Sequence, residues 1–491
     1  MTEKKHLTGY PLIFNYLGVF AILIGIINLI PLLTIIFYPN EISEAKNFYI
    51  PALSSILIGS LIVFLYRGRE KERLERSQDA ILVVGIWLLA IFISSLPFVL
   101  TGNYNFTQAI FESTSGYSTT GLTVVDVTQT PNIYLFFRSL LQFVGGVGLV
   151  LVLTSAISDK FGMRLYSAEG HSDKLLPNLV KSGRMIMSIY IGYIFVGAIF
   201  LVIFGLTPFQ ALNHSITAVA TGGFSTEAAS IGAFNKVGVE VTIMVLMLLG
   251  GTNFYVHLML LRGKLKNVFG HVELKLLGVL LVVFIPILVI NLIGMYNGDF
   301  FYTLRVASFQ FISAVTGTGF QTIETFTIMP PTFMSVLIIV MVLGAGMGST
   351  AGGMKQYRVA LAFKSLYWNI REQFGHKKTI RTYFINKIGT RTIINKEEVI
   401  QNYSFLMTYL LALFTGTLIF TGYGFTIKDA LFEFASALGT VGLSVGITNY
   451  NANPGILWTA TVGMFLGRLE FYVIFIAIAK IIFSLKPKNK L

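Results

Sequence analysis

Four short segments of this chain are rich in threonine and glycine and align on one shared glycine. They are residues 118–123, 220–225, 316–321 and 439–444, called strips 1 to 4 below, and the shared glycines are Gly121, Gly223, Gly319 and Gly442. Each strip lies between long apolar runs. An extended strip can turn its backbone carbonyls toward an ion and replace the ion's water shell, and glycine permits the backbone angles that this requires. Four strips in one chain predict a single pore that conducts a cation.

The similarity extends twelve residues back from each shared glycine. Twelve residues before it stands an alanine, nine before a polar residue, and six before a small hydroxyl residue. In chain order the three columns are Ala109, Ala211, Ala307 and Ala430; Glu112, His214, Gln310 and Glu433; and Ser115, Thr217, Ser313 and Ser436. A spacing of three residues places the columns on one stripe of a helix. Chance matching is the alternative, but three columns that agree in four units favour a repeat of helix plus strip. The mixed polar column argues against a carboxylate ring, and we interpret its members as hydrogen-bonding braces.

Composition sets the environment of these elements. The chain has 491 residues, of which 54% are hydrophobic and 12% charged, and its mean hydropathy is +0.73. Soluble domains carry about 25% charged residues, so this is an integral membrane protein. The absence of cysteine excludes disulfides and thiolate metal sites. The net charge of +13 lies in short loops between spans, which is typical of cytoplasmic loops and not of a nucleic-acid interface.

Apolar runs predict ten membrane spans and four shorter segments. The spans lie near 11–38, 50–66, 80–100, 132–157, 185–205, 237–261, 273–295, 331–366, 402–422 and 455–484, and the first is read as uncleaved. The shorter segments, near 105–117, 207–219, 301–315 and 426–438, fit re-entrant half-helices. Basic loops fall on one side if both termini are cytoplasmic, and the strips then face outside.

The predicted fold is therefore an all-α integral membrane protein of ten transmembrane helices and four re-entrant pore half-helices. Four pseudo-symmetric span–pore–span units surround one pore, beside an N-terminal helix pair. The expected boundaries are 1–79 for the pair, 80–157, 183–262, 273–366 and 400–484 for the pore units, and 364–399 for a basic cytoplasmic loop. The negative C-terminal end of each half-helix would attract a cation. Thr119, Thr221 and Thr440 could add ligands or brace the strips. Ordinary extracellular turns are the alternative, but they leave the preceding half-helices unexplained.

The strips and their flanking motifs resemble the Trk/Ktr/HKT superfamily of potassium transporters, and the extra N-terminal spans resemble its TrkH branch. The flanking motifs are 344–355 (GAGMGSTAGGMK), 251–254 (GTNF) with His257, and 467–470 (GRLE). The resemblance implies a K⁺ selectivity filter formed by Thr119, Thr120, Gly121, Thr221, Gly222, Gly223, Gly317, Thr318, Gly319, Thr440, Val441 and Gly442. Gly317 is a departure, because the other strips have threonine there.

The resemblance also implies assembly and location. We expect a homodimer in the cell membrane, bound to a cytosolic nucleotide-binding regulatory subunit of the TrkA type. K⁺ would be the transported ion bound in the filter, and no organic cofactor is expected on this chain. The basic stretch formed by Lys355, Arg358, Arg371, Lys377, Lys378, Arg381 and Arg391 reflects positive-inside bias or membrane lipid contact, or else docking of the regulatory ring.

The eighth predicted span contains a glycine-rich segment, residues 344–355. Five of the eleven residues from Gly344 to Met354 are glycine, and each costs a helix about 1 kcal/mol relative to alanine, so the helix should break here. The resemblance implies an intramembrane gate, comprising Gly344, Gly346, Gly348, Ser349, Thr350, Gly352 and Gly353 together with Arg468. Close helix packing is the alternative role for these glycines. We hypothesise that Arg468 lies beneath the filter and bonds to this segment.

The strips predict cation permeation, the resemblance implies that the cation is potassium taken up by the cell, and no enzymatic activity is expected because the sequence shows no catalytic constellation. Two rival functions remain open. One is a Na⁺-stimulated transporter of the Ktr type, against which the extra N-terminal spans argue. The other is an alternating-access cation transporter, but such transporters usually carry inverted repeats, whereas these repeats are parallel.

Overall fold

The computed structural model describes residues 9–68, 74, 77–148, 179–374, 382–387 and 390–485. The all-α prediction is confirmed, apart from one small hairpin. An N-terminal pair, α1 (Tyr10–Leu29) and α2 (Ala45–Leu65), is joined by short 3₁₀ turns and packs closely through Gly18, Gly25 and Gly59. An ideal Cβ on any of these glycines would lie within 3.0 Å of the opposite helix. This close contact explains why the two helices form a tight hairpin beside the first unit.

The four predicted half-helices are present within two residues of their predicted bounds. They are α4 (Phe106–Tyr117), α7 (Pro208–Val219), α12 (Phe300–Thr316) and α16 (Ile427–Leu438). Each begins at a side-chain N-cap, supplied in chain order by Asn105, Thr207, Asp299 and Thr426. Because an N-cap satisfies the first free N–H groups, each short helix starts at a defined residue and directs its C-terminal carbonyls to its strip.

A longer helix precedes each half-helix. These helices are α3 (Gln78–Leu100), α6 (Leu179–Ile203), α11 (Val272–Leu292) and α15 (Lys396–Gly422). Six helices are long and apolar enough to cross a membrane, or eight if two bent pairs count as one span each, within the described part of the chain. The total of ten membrane spans therefore stays a prediction. Residues 149–157 of the predicted fourth span lie outside the described residues.

The helices that follow the strips are interrupted, and only the interruption in the eighth predicted span was expected. The expected break in the eighth span is confirmed: α13 (Pro331–Leu343) ends before the glycine-rich segment and α14 (Gln356–Gln373) begins after it. The predicted spans 237–261 and 455–484 are not single helices. One is divided into α8 (Val237–Gly250) and α9 (Phe254–Leu261), bent by 105°, and the other into α17 (Pro454–Leu469) and α18 (Phe471–Leu485), bent by 100°. Helix α5 (Asn132–Val147) likewise ends at Gly148, whose φ is +100°.

Glycines explain where these helices stop. Gly145, Gly250 and Gly467 each face the last carbonyl of the half-helix in their own unit, that of Tyr117, Val219 and Leu438 respectively. A Cβ on any of them would lie within 3.0 Å of that carbonyl, so the second helix reaches the half-helix end only through glycine.

The predicted loop 364–399 is largely structured. Helix α14 continues to Gln373, a hairpin of β1 (Phe384–Lys387) and β2 (Thr390–Ile393) follows, and α15 starts at Lys396. Lys377, Lys378 and Arg381 lie outside the described residues. A short helix, α10 (Leu265–Gly270), connects α9 to α11.

Candidate ion pathway

The four strips close into a ring in chain order. Each shared glycine has a positive φ, between +73° and +98°, and its Cα packs against the carbonyl of the residue before the shared glycine in the next strip. The pairs are Gly121 with Gly222, Gly223 with Thr318, Gly319 with Val441, and Gly442 with Thr120. A Cβ at any shared glycine would lie within 3.0 Å of that oxygen. The glycines are therefore required by backbone conformation and by contact between strips.

The residue two positions before each shared glycine is also left-handed. Thr119, Thr221 and Thr440 have φ of +55°, +50° and +52°, and Gly317 has +70°. This conformation is unfavourable for a β-branched residue. Gly317 thus adopts without strain the angles that the other three positions hold under strain. An ideal Cβ on Gly317 would also lie 3.2 Å from the Ala351 Cβ, which leaves little room for a threonine.

The polar column of the half-helices forms hydrogen bonds to hydroxyl residues that follow each shared glycine. Glu112 and Glu433 accept hydrogen bonds from the hydroxyls of Thr123 and Ser444 at 2.9 and 2.8 Å. His214 Nε2 lies 2.9 Å from the Ser225 hydroxyl. These three hydroxyl residues follow their shared glycine by two positions. In the third unit, Gln310 Nε2 donates to Thr322 Oγ1 at 3.2 Å.

Backbone hydrogen bonds make the helix–strip junctions alike. The N–H before each shared glycine donates to the carbonyl of the hydroxyl-column residue, at 2.8 or 2.9 Å in all four units. The Ser115 and Ser436 hydroxyls also accept from the N–H of their shared glycines, at 3.0 and 2.9 Å. This bonding fixes each strip to the end of its half-helix.

Helix α5 contributes two side chains that the sequence did not single out. Buried Arg138 donates to Glu112 at 2.7 Å and to the Ser225 carbonyl at 3.3 Å, which links strips 1 and 2. Gln142 Nε2 donates to the Gly222 carbonyl at 2.5 Å, and its Oε1 accepts from Phe224 N–H at 3.2 Å. Sequence reasoning could have found both residues, because a charged side chain and an amide side chain are unusual within the apolar run that follows a strip.

The glycine-rich segment lies against one face of the ring. The Thr119 hydroxyl donates to the Thr350 carbonyl at 3.3 Å, and the Thr221 and Thr350 hydroxyls are 2.6 Å apart. The Thr440 hydroxyl accepts from Gly352 N–H at 3.0 Å. With Ala351 beside Gly317, three consecutive residues of the segment contact all four strips. The three threonine hydroxyls are therefore engaged as braces toward the segment.

The break between α8 and α9 receives the first half of the segment. Gly346 N–H donates to the Gly251 carbonyl at 3.0 Å, and the Asn253 amide donates to the Met347 carbonyl. Buried Glu273 of α11 accepts from Met347 N–H at 2.8 Å. The sequence did not indicate Glu273, because its partner lies far away in the chain.

The two ends of the segment meet. An ideal Cβ on Gly353 would lie 2.9 Å from the Gly344 Cα, and Met354 N–H donates to the Val342 carbonyl at 3.1 Å. The segment is thus a loop that leaves the span and returns to the same point.

Two buried cations donate hydrogen bonds to backbone carbonyls. Arg468 Nη2 donates to the carbonyls of Gly145 and Gly146 at 2.5 and 3.3 Å, and these bonds join it to the end of α5. Lys355, assigned from the sequence to the basic cytoplasmic stretch, is instead buried and donates to the Ala351 carbonyl. Glu470, two residues after Arg468, pairs with Arg358 at 2.6 Å.

A vestibule of about 390 Å³ opens on the other face of the ring, lined by all four shared glycines. Asp126, Glu227 and Glu324 also line it. Hydrogen bonds from Thr128 hold the pKa of exposed Asp126 below its usual value, so this carboxylate stays ionised at neutral pH. The entrance therefore carries negative charge.

Comparison with known proteins agrees with this geometry. The sequence profile of TrkH, described as a cation transport protein, matches residues 44–450. The chain belongs to the TrkH family. The TrkH potassium uptake protein of the Trk system in Escherichia coli is 30% identical and aligned over 94% of this chain and 97% of its own. An uncharacterised cation transporter of Methanocaldococcus jannaschii is 28% identical over 98% of this chain and 97% of its own.

A solved structure has the same fold. The crystal structure of the potassium transporter TrkH from Vibrio parahaemolyticus superposes with a TM-score of 0.84, covering 98% of this chain and 99% of its own at 24% identity. This TrkH-family chain therefore shares the complete fold.

Removal of one partner of the buried Arg138–Glu112 pair should strongly destabilise this TrkH-family protein. Arg138→Ala leaves a buried carboxylate without its cation, which typically costs about 3–5 kcal/mol. We expect the free energy of unfolding, measured by denaturant titration in detergent, to fall by about that amount. Lys428→Ala is the control, because the Lys428 and Asp429 side chains are 42% and 25% exposed. That pair should be worth about 0–1 kcal/mol. Equal losses in the two variants would contradict the assignment.

Proposed function

We propose that this protein takes up potassium ions across the cell membrane through the ring of four strips. The observation that carries the proposal is the closed ring itself, in which every shared glycine abuts a carbonyl of the next strip. Four half-helix ends point their partial negative charge at this ring, and strip carbonyls would replace the water around K⁺. The TrkH relatives named as potassium uptake proteins support K⁺ as the ion.

The proposed filter comprises three consecutive residues of each strip, ending at the shared glycine. They are Thr119, Thr120, Gly121, Thr221, Gly222, Gly223, Gly317, Thr318, Gly319, Thr440, Val441 and Gly442. Non-helical backbone at membrane depth is tolerated where it lines a water-filled path or is buried in protein, and a pore lining meets this condition. The membrane potential would drive entry, at about 2.3 kcal/mol per charge per 100 mV.

The glycine-rich segment is the proposed gate. It contacts all four strips at the face opposite the vestibule, so an ion leaving the ring meets it first. Its proposed gating residues are Gly344, Gly346, Gly348, Ser349, Thr350, Gly352, Gly353 and, through the end of α5, Arg468. Buried cations are costly in a membrane, and Arg468 and Lys355 would raise the barrier for a passing K⁺.

The proposed function also includes a membrane topology, a homodimer and a regulatory subunit. We infer pore units at 80–157, 183–262, 273–366 and 400–484 beside the pair at 1–79, with both termini cytoplasmic and the strips outside. Pairing as a homodimer and regulation by a TrkA-type nucleotide-binding subunit would follow the Trk system of the relatives. Parallel repeats around one ring disfavour alternating access, and the full N-terminal pair disfavours the Na⁺-stimulated Ktr type.

Substitution of a shared glycine tests the filter. In Gly223→Ser, the side chain meets the Thr318 carbonyl, and the left-handed backbone alone costs a non-glycine residue about 1–2 kcal/mol. We expect the preference for Rb⁺ over Na⁺, measured as tracer flux into liposomes, to fall about tenfold or more. Gly278→Ser is the control, because no atom lies within 4 Å of a Cβ there. A filter variant that keeps the wild-type preference would refute the assignment.

Deletion of residues 345–352 tests the gate. Because Gly344 and Gly353 already touch, the deletion can be closed without displacing α13 or α14. We expect Rb⁺ influx to rise several-fold while the preference for Rb⁺ over Na⁺ is retained. The isosteric Thr350→Val, which removes hydroxyl bonds to Thr221 and Gly250, should increase influx less. If a correctly folded deletion variant had unchanged Rb⁺ influx, the assignment of the segment as a gate would be contradicted.

Arg468 provides a separate test of the charge beneath the ring. Arg468→Ala removes a buried cation and its bonds to the α5 end, so Rb⁺ influx should increase. Arg468→Lys keeps the charge but not the forked geometry, and it should stay closer to wild type. If both variants had wild-type influx, Arg468 would be a structural tether only.

A further inference from the structure

A second cavity opens on the flank of the protein, between α11 and the two halves of the broken eighth span. Its volume is about 600 Å³, and its walls are mostly apolar side chains of α11, α13 and α14. Several of these are substantially exposed, including Val279 at 59% and Phe363 at 65%. The cavity, called the flank groove below, is thus a lateral apolar recess in a membrane protein.

Two lysines line the flank groove at one end. Lys275 lies in the first turn of α11 and Lys364 in α14, and both residues line the groove. Neither ammonium group has an acidic partner among the described residues. Phe284, at the other end of the groove, stacks on Phe311 of half-helix α12 with ring centroids 6.2 Å apart. The lysines therefore mark the end farther from the ring.

The dimensions suit one lipid chain. From Lys275 to Phe284 the groove follows nine residues of α11, which corresponds to about 14 Å of helix. Half the thickness of the hydrocarbon core of a bilayer is about 15 Å, which is close to this length. An acyl chain could lie along the apolar walls while a phosphate stays near the lysines, whose stems follow apolar surface and whose charges remain at the interface.

We propose that the flank groove binds one anionic phospholipid, with its phosphate between Lys275 and Lys364 and one acyl chain along α11. This site is independent of which ion the protein transports. Two unpaired ammonium groups at one end of an apolar channel complement a negative headgroup joined to a hydrocarbon chain, whereas a zwitterionic headgroup offers them no net charge.

The groove adjoins the glycine-rich segment. Leu343, the last residue of α13, lines the groove and immediately precedes the segment. Met347 of the segment packs in one apolar cluster with Val272 of α11 and Ala360 of α14, and its N–H is held by Glu273. A lipid in the groove would therefore brace the helices that anchor both ends of the segment.

Tryptophan quenching by brominated lipids tests the site. Phe284 lines the groove at the end away from the lysines, so a Phe284→Trp protein, used as the reference for this assay, places a tryptophan where the acyl chain would lie. The protein is reconstituted in phosphatidylcholine vesicles containing increasing fractions of brominated phosphatidylglycerol or brominated phosphatidylcholine. We expect phosphatidylglycerol to bind about thirtyfold more strongly, since each of the two interfacial lysines contributes about 1 kcal/mol toward anionic lipid.

Matched variants separate this site from diffuse attraction to a basic surface. K275Q/K364Q should abolish the preference, whereas K264Q/K266Q, which removes two exposed lysines nearby, should retain it. Val279→Phe should reduce binding with both lysines present, because it fills the acyl channel. The proposal is overturned if the reference protein shows no preference, if both lysine pairs reduce it equally, or if Val279→Phe leaves binding unchanged.

Discussion

The packing of each shared glycine against a carbonyl of the next strip is the contact on which the rest of the molecule depends. No side chain fits there, so the ring can close only with glycine at four positions more than ninety residues apart. Extended backbone at membrane depth must have its polar groups satisfied by protein or by a water-filled path. The half-helices, the polar braces and the hydroxyl column supply those partners. Many of the buried polar side chains lie around this ring.

The same requirement accounts for the interrupted second helices. In three units a glycine brings the second helix against the terminal carbonyl of the half-helix, and the described helix ends or bends within four residues of it. The third unit departs from this pattern, since its break is expanded into a loop of twelve residues between α13 and α14. Gly317 and the loop both belong to the third unit, so the fourfold repeat is degenerate in the unit that supplies the loop.

Charge is distributed unequally along the pathway. Three carboxylates, on Asp126, Glu227 and Glu324, line the vestibule together with Arg138, which is paired with Glu112. Lys355 and Arg468 lie on the other side of the ring. Both cations donate hydrogen bonds to backbone carbonyls, those of Ala351 and Gly145, which compensates part of the cost of their burial. In the proposed pathway, an entering cation would be attracted before the ring and opposed after it.

The sequence by itself determined the membrane class, the half-helix bounds, the alignment of the strips and the break in the eighth span. These are local properties: apolar length, glycine content and three-residue spacing are read within one element. Tertiary structure alone decided the partners of Arg468, 323 residues from Gly145, and the burial of Lys355. Tertiary structure also decided that Arg138 and Gln142 of the first unit donate hydrogen bonds to strip 2. It decided as well that the sixth and tenth predicted spans bend sharply at their glycine motifs. Such contacts join units far apart in the chain, and the periodicity of one helix carries no information about which backbone carbonyl another unit will bring beside it.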